Sequence, residues 1–464
     1  MDLDALLLSR LQFAFTVAFH IVFPAFTIGL SAWIATLLVV WRRTLDERYR
    51  DLARFWTRIF AVSFAMGVVS GIVLSYQFGT NWSRFSVVVG NVVGPLIGYE
   101  VLTAFFLEAT FLGIMLFGWK RVPPGVHVLS AILVAFGTLL SAFWIIAANS
   151  WMQEPSGHEI RDGIAYPADW LAVIFSPTFP LRFVHMVTAA YLTTAFVVLA
   201  TGARYLVRNR HHRHGMTMLK MGLGMAAVLA PLQLLVGDMH GLAAARAQPA
   251  KIAAVEAHWD GSKPAPLVLF AIPDETAGAN RYEISISNGA SLLITHSLEG
   301  TFPGLNDYAP ADRPPVLAPF LGFRIMVGIG LVMIAMALYG VWLWWRRRLE
   351  TSRIFLRLVS YTWPLGFIAI ISGWTVAEVG RQPWLATGIL RTVDATSPVA
   401  SGAVALTLLL FLLVYIAVFG TGILYINRLI RKGPAPETLS PEGVPSRPLA
   451  AVTSTPEAVS GGGA

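Results

Sequence analysis

A small set of ionisable or metal-ligating side chains lies inside long apolar stretches of this sequence. Its members are His20, Glu100, Glu108, His185, Arg324, Met326 and Glu378. Hydrocarbon rejects most of these groups, so each is a candidate for cofactor binding, ion pairing or proton transfer. His and Met can ligate haem iron, and carboxyl groups can move protons. Structural roles are also open, because a His or Glu can hydrogen-bond a neighbouring helix and a Met commonly packs in a core.

The elements that must position these side chains are about nine apolar segments. The chain has 464 residues, of which 56% are hydrophobic and 13% charged, and this composition indicates a membrane protein. Hydropathy predicts spans at 12–41, 55–78, 95–118, 126–148, 183–206, 217–237, 317–345, 355–378 and 401–427. We therefore predict an all-α integral membrane protein.

The distribution of Lys and Arg predicts the topology. Alternate loops and the C-terminal segment hold 22 of the 34 basic residues. The positive-inside rule then places the N-terminus outside and the C-terminus in the cytoplasm. With this orientation most of the candidate side chains fall in the outer half of the bilayer, as a shared cofactor layer would require. The sequence contains no cysteine, which excludes thiolate ligands and iron–sulfur clusters.

Hydropathy and composition divide the chain into four parts. We predict helices one to six in residues 1–237, an extracytoplasmic loop in 238–316, helices seven to nine in 317–432 and a disordered cytoplasmic tail in 433–464. His240 and the other histidines assigned to outer loops are too dispersed to form a metal motif.

Glu100 and Glu108 are eight residues apart in the third predicted span. In a regular α-helix this spacing separates them by about 12 Å along the axis and by about 80° around it. They could form a stepped proton path. Protonated carboxyl groups that bond to neighbouring helices are the alternative.

Several short strings occur in a specific order. They are SRLQF at 9–13, QFGTNW at 77–82, FFLE at 105–108, ANSWMQ at 148–153, FVH at 183–185, FRIM at 323–326, GWTVAE at 373–378 and GRQPW at 380–384. In order and spacing they resemble subunit I of the cytochrome bd quinol oxidases over nearly the whole membrane region. The loop after the sixth span is short, which resembles the short-loop branch that includes the cyanide-insensitive oxidases.

The resemblance implies two kinds of haem site. It implies that His185 and Met326 are the axial ligands of a low-spin haem b, a six-coordinate site suited to electron transfer. It implies that His20 and Glu378 are the ligands of a high-spin haem b and of haem d or a third haem b, without assigning which residue serves which haem. Residues expected beside the haems are Glu100 near bound oxygen, Arg324 near a propionate, and Arg381.

The resemblance also implies residues for protons, electrons and quinol. Glu108, with Ser141, would pass protons from the cytoplasm to the oxygen site. Trp374 would relay electrons between haems, although simple packing against a porphyrin is equally open. Lys251 and Glu256 would bind quinol; without the resemblance they would be read as part of a solvated amphipathic turn.

The resemblance therefore implies the catalytic subunit of a terminal oxidase in the bacterial inner membrane. It would oxidise quinol outside, reduce oxygen to water with cytoplasmic protons and generate a proton motive force without pumping. Expected partners are a second membrane subunit, a small single-helix subunit, membrane lipid and quinone, but no nucleic acid. A cytochrome b that only carries electrons and a proton-coupled transporter are the alternatives.

Overall fold

Nine apolar helices dominate the computed structural model, which describes residues 4–434. They are α1 (Ala5–Thr44), α2 (Glu47–Thr80), α3 (Ser83–Phe117), α4 (Pro124–Gln153), α5 (Phe179–Val207), α6 (His212–Ala247), α7 (Leu317–Trp345), α8 (Leu365–Val379) and α9 (Ser401–Lys432). Within this part of the chain, the eight other than α8 are long and apolar enough to cross a membrane. The predicted all-α membrane fold is confirmed, whereas the number of crossings and the side of each terminus stay predictions.

The predicted span at 355–378 is divided into two helices. A short helix, Arg353–Val359, is followed by a break at residues 360–364 and then by α8. Pro364 explains the break, because its ring disfavours helical geometry in the residue before it. Most of the other helices extend beyond their predicted spans, because hydropathy detects only the apolar part of each helix, whereas α7 coincides with its prediction.

Helix α1 lies at the centre of the bundle. In the most apolar 18-residue stretch of α1, 78% of the residues are buried, compared with 17% in the corresponding stretches of α7 and α9. It packs against α2, α4 and α5, and α5 in turn packs against α6. Gly29 allows α1 and α5 to approach closely, since an added Cβ would lie 2.8 Å from the carbonyl oxygen of Ala190. The central helices are therefore held closely together.

Three antiparallel hairpins lie in the connections between helices. Their strands are β1 (His158–Arg161), β2 (Ile164–Pro167), β3 (Leu267–Asp274), β4 (Ala279–Ile286), β5 (Trp384–Ala386) and β6 (Leu390–Arg391). Short helices lie at Trp170–Ile174, Pro249–Glu256 and Gly289–Thr295, and 3-10 turns at Leu305–Asp307, Pro310–Asp312 and Thr392–Asp394.

The loop between α6 and α7 begins later than predicted. Helix α6 continues to Ala247, so residues 238–247, including His240, are helical and not part of the loop. The loop has a small core in which Ala253, Val268 and Leu305 pack with Phe320 of α7. This core fixes the helix Pro249–Glu256 against the bundle. The predicted disordered tail, apart from residues 433 and 434, lies outside the described residues.

Candidate functional site

The surroundings of His185 and Met326 contain glycines that leave room for these two side chains. An added Cβ at Gly237 of α6 would lie 3.2 Å from His185 Cε1. An added Cβ at Gly373 of α8 would lie 2.8 Å from Met326 Sδ. Gln233 of α6 places its amide nitrogen 3.2 Å from His185 Nδ1. Two neighbouring helices are thus shaped around the predicted ligands, which fits a cofactor held at these side chains.

His240 also belongs to this region, which corrects the prediction that it lies in an outer loop. Its ring centroid is 5.4 Å from that of His185. Both rings are part of the membrane bundle, one on α5 and the other on α6. His240 was missed because the predicted sixth span ended at residue 237.

His20 is oriented by a hydrogen bond that leaves one ring nitrogen for a ligand. Its Nδ1 lies 2.9 Å from Ser70 Oγ. The Ser70 hydroxyl also lies 3.0 Å from the carbonyl oxygens of Met66 and Gly67, to which it donates its single hydrogen. The same oxygen can then only accept from Nδ1–H, so Nε2 keeps its lone pair. This arrangement is typical of a metal-ligating histidine, whose other nitrogen bonds to a neighbouring group.

Glu378, at the end of α8, is held by three other residues. Asn149 and Gln153 of α4 donate hydrogen bonds to its Oε1 at 3.0 and 3.3 Å. Arg381 forms an ion pair with its Oε2. Arg182 of α5 donates to the amide oxygen of Asn149 and so joins the same network. The end of α8 is therefore joined to α4 and α5 by polar contacts.

Buried positive charge exceeds negative charge around Glu378. Arg182, Arg381 and Lys251 are each at least 92% buried, since only 8%, 6% and 6% of their surfaces are exposed. Lys251 Nζ lies 2.5 Å from Gln153 Oε1. Burial lowers the pKa of Lys251 well below its ordinary value, and repulsion from Arg182 and Arg381 lowers it further, while Glu378 opposes the shift.

Some donors of these guanidinium groups are buried without an acceptor among residues 4–434. They are Nε and Nη1 of Arg381 and Nε of Arg182. A buried charge is costly unless it is paired and hydrogen-bonded. The donor set fits an anionic group such as a haem carboxylate, which accepts from guanidinium groups. Arg381 was predicted to contact a haem, whereas Arg182 was missed because it was counted only as an outer-loop charge.

Arg324 and Glu256 form a buried ion pair that joins α7 to the helix Pro249–Glu256. The Arg324 Nη2 to Glu256 Oε2 distance is 2.8 Å. Arg324 also donates to the carbonyl oxygens of Val255 and Val268, the latter at 2.9 Å. Burial raises the pKa of Glu256, and Arg324 opposes that shift. Contact between Arg324 and a propionate remains a prediction; the anion that the structure gives it is Glu256.

We expect Glu256→Ala to destabilise the loop against α7 by about 3 kcal/mol, because it leaves the buried Arg324 without its carboxylate. Hydrogen exchange of the segment 249–274 in the purified complex would measure the effect as faster exchange. Glu299→Ala, at an exposed position of the same loop, is the control and should leave exchange unchanged. Equal exchange in both variants would show that the ion pair does not hold the loop.

Glu100 and Glu108 face the same side of α4, which corrects the predicted angular separation. Ser141 Oγ donates to Glu100 Oε1 at 2.7 Å. Glu108 Cγ would lie 2.7 Å from a Cβ added at Gly137. Gly137 and Ser141 are one turn apart on α4, about 6 Å along the axis. The two carboxyl side chains are therefore aligned.

A π-helical segment in α3 accounts for this alignment. Residues Val101–Phe105, between the two glutamates, form i→i+5 hydrogen bonds. Because a π turn contains more residues than an α turn, each residue turns by less, and most of the expected offset of about 80° is removed. Glu108 is 6% exposed, and its Oε1 has no hydrogen-bond partner in the described chain. Hydropathy gives no signal for such a segment.

Trp374 of α8 borders two buried clusters, one that contains Ile21 of α1 and one that contains Phe179 of α5. Met186 of α5 borders both clusters as well. These surroundings are compatible with an electron relay and with simple packing.

Comparisons with known proteins identify a family. The family model described as "Cytochrome bd terminal oxidase subunit I" matches residues 8–434. The chain is 36% identical to "Cytochrome bd ubiquinol oxidase subunit 1" of Bacillus subtilis (strain 168), with coverage of 93% of this chain and 94% of that protein. It is 33% identical to "Cytochrome bd-II ubiquinol oxidase subunit 1" of Escherichia coli (strain K12), with coverage of 93% and 97%.

A solved structure supports the same fold. A chain of "The structure of bd oxidase from Geobacillus thermodenitrificans" superposes with a TM-score of 0.86 at 33% identity. The match covers 93% of this chain and 99% of that one.

Proposed function

Because this chain belongs to the cytochrome bd terminal oxidase subunit I family, we propose that it oxidises quinol at the outer membrane face and reduces oxygen to water with cytoplasmic protons. The observation that carries the proposal is the cluster of Arg182, Arg381 and Lys251 around Glu378, whose excess positive charge fits an anionic cofactor. Partner subunit II and a place in the bacterial cytoplasmic membrane follow from the family.

The residues proposed to hold haem are those whose surroundings fit it. His185 and Met326 would hold a low-spin haem b, and His20 and Glu378 would hold high-spin haems. Arg381 and Arg182 are the proposed partners of haem carboxylates. The bound haems would supply electron transfer and the iron at which oxygen is reduced.

Quinol is proposed to bind near the helix Pro249–Glu256. Lys251 is buried with a lowered pKa and Glu256 is buried with a raised one. Shifts in these directions bring an amine and a carboxyl group closer to the pH at which they can exchange protons with a substrate. Arg324 keeps Glu256 in place through the ion pair. The protons of quinol would leave on this side of the membrane.

Protons for water are proposed to pass from Glu108 to Glu100 with the help of Ser141. Glu108 has a free acceptor atom, and the Ser141 hydroxyl, one turn along α4 from Gly137, is already bonded to Glu100. The π-helical segment, which brings both carboxyl groups to the same side of α4, supports this proposal. Because quinol protons leave on one side and water protons enter from the other, charge separates without a pump.

We expect Gly137→Ala to slow oxygen reduction about tenfold or more, because the added Cβ would lie 2.7 Å from Glu108 Cγ and must displace this side chain. A misplacement of about 1 Å in a reacting group can cost on the order of 100-fold. Oxygen uptake and haem content of the purified complex would be measured together.

The matched control is Gly98→Ala, where an added Cβ on α3 meets no atom within 4 Å. It should retain full turnover, and both variants should retain their haem spectrum. Normal turnover in Gly137→Ala would show that proton transfer does not depend on the position of the Glu108 side chain.

Quinol-driven oxygen uptake by the purified complex in proteoliposomes tests the proposed function. We expect uptake with acidification outside by no more protons than the quinol itself carries. Absence of oxygen uptake would favour the alternative functions, an electron carrier or a transporter. Release of more protons outside than quinol carries would mean that the complex pumps protons.

A further inference from the structure

A basic cavity of about 290 Å³ lies at the opposite end of the bundle from the predicted quinol loop. It is formed where α2 and α6 begin, and Arg48, Arg213 and Lys220 contribute cationic side chains to its wall. The loops that precede α2 and α6 lie on the side of the membrane that the Lys and Arg distribution predicts to be cytoplasmic. None of the proposed oxidase residues lines this cavity.

The positive charge of this cavity is only partly neutralised by the protein. Arg48 forms an ion pair with Asp46 at 2.5 Å. His212 at the rim bonds to Glu350 at 2.7 Å. Arg213 and Lys220 form no salt bridge with any residue between positions 4 and 434. Arg213 lies near enough to Asp46 to help lower the pKa of that carboxyl, but Arg48 is the main cause of the shift. Lys220 and much of the charge of Arg213 therefore remain for an anion that comes from outside the chain.

The wall between these two cations indicates what kind of anion fits. Arg213 and Lys220 are seven residues apart on α6, so they share a face and lie about 10 Å apart along the axis. Thr217 lies between them, with its hydroxyl donating to the carbonyl oxygen of Arg213, and Met216 and Met221 add apolar surface. A free inorganic anion would contact the cationic side chains but gain nothing from the methionines. An amphipathic molecule would contact both the cationic side chains and the apolar surface.

We propose that this cavity binds the phosphate group of an anionic membrane phospholipid. Arg213 would contact the phosphate at the membrane surface, and Lys220, two turns further into the bilayer, would extend its ammonium group toward the same headgroup. The acyl chains would leave past Met216 and Met221 into the surrounding lipid. A basic pocket between membrane helices is suited to this ligand because the cytoplasmic leaflet carries anionic lipid.

Native mass spectrometry of the purified complex tests the proposal. The complex would be delipidated and titrated with phosphatidylglycerol, with phosphatidylcholine as the neutral lipid and inorganic phosphate as a competitor. We expect phosphatidylglycerol to bind the wild type, and Arg213→Gln with Lys220→Gln to weaken it about 30-fold, since each basic residue near an anionic lipid is worth about fivefold.

The matched control removes two other charges from the same side, Arg42→Gln with Arg43→Gln, and should bind as the wild type does. Arg42 and Arg43 are exposed at the end of α1 and do not line the cavity. If the double variant does not assemble, Arg213→Gln alone, at an exposed position, should show a fivefold loss.

Three results would overturn the proposal. The first is equal phosphatidylglycerol binding by the cavity variant and the control. The second is equal binding of phosphatidylcholine, which would mean that the phosphate charge is not recognised. The third is displacement of the lipid by millimolar inorganic phosphate, which would make the cavity a site for free anions.

Discussion

His185→Ala is expected to abolish the low-spin haem spectrum while the high-spin bands remain. The imidazole on α5 would be one of two residues that hold this haem, and the methyl side chain of alanine cannot ligate iron. Loss of an indirect partner of a metal ligand already costs about 10–100-fold, so quinol-driven oxygen uptake should fall by at least about 100-fold. Visible spectra and oxygen uptake of the purified complex would be recorded together.

Met326→Leu should produce the same spectral loss, because leucine preserves the volume but cannot ligate iron. The matched control is Met333→Leu, seven residues further along α7 and buried in the cluster with α5 and α6. It should keep both sets of bands. A full low-spin spectrum in either variant would show that the substituted residue is not a ligand of the low-spin haem.

Glu108→Gln is expected to slow oxygen reduction by about 100-fold, within the range for groups that transfer protons. Glutamine keeps the size of the side chain beside Gly137 but cannot release a proton. Haem content should remain at the wild-type level, because Glu108 is not a proposed iron ligand. Single-turnover reduction of oxygen by the fully reduced complex would isolate the proton-dependent phase.

The control is Glu299→Gln, an exposed carboxyl in the loop between α6 and α7. It should leave every phase unchanged. Wild-type turnover in Glu108→Gln with full haem content would contradict a proton role for Glu108.

The family and the membrane fold could be predicted from the sequence. The apolar spans are physical requirements of crossing a bilayer, so hydropathy detects them directly. The ordered strings around His20, His185, Met326 and Glu378 predicted the cytochrome bd subunit I family, and the comparisons confirm that prediction. The functions of the individual site residues stay predictions.

Other features depend on information that hydropathy does not contain. The π-helical segment between Glu100 and Glu108 is a change in backbone hydrogen bonding within an evenly apolar stretch. Hydropathy predicts a continuous span at 355–378 although Pro364 lies in it, and the structure divides the span at residues 360–364.

The partners of the charged residues also required the structure. Arg324 and Glu256 are 68 positions apart, and Asn149 and Glu378 are 229 apart. Such pairs form only when separate helices pack together. The sequence therefore predicted that Arg324 needs an anion, but it did not predict that Glu256 is that anion.

The most direct measurement is a reduced-minus-oxidised visible spectrum of the purified complex, with haem extracted from the same sample. The family and the cluster of buried cations around Glu378 predict both low-spin and high-spin haem bands that are reduced by quinol and reoxidised by oxygen. A colourless complex, or haem that quinol reduces but oxygen does not reoxidise, would contradict the proposed oxidase.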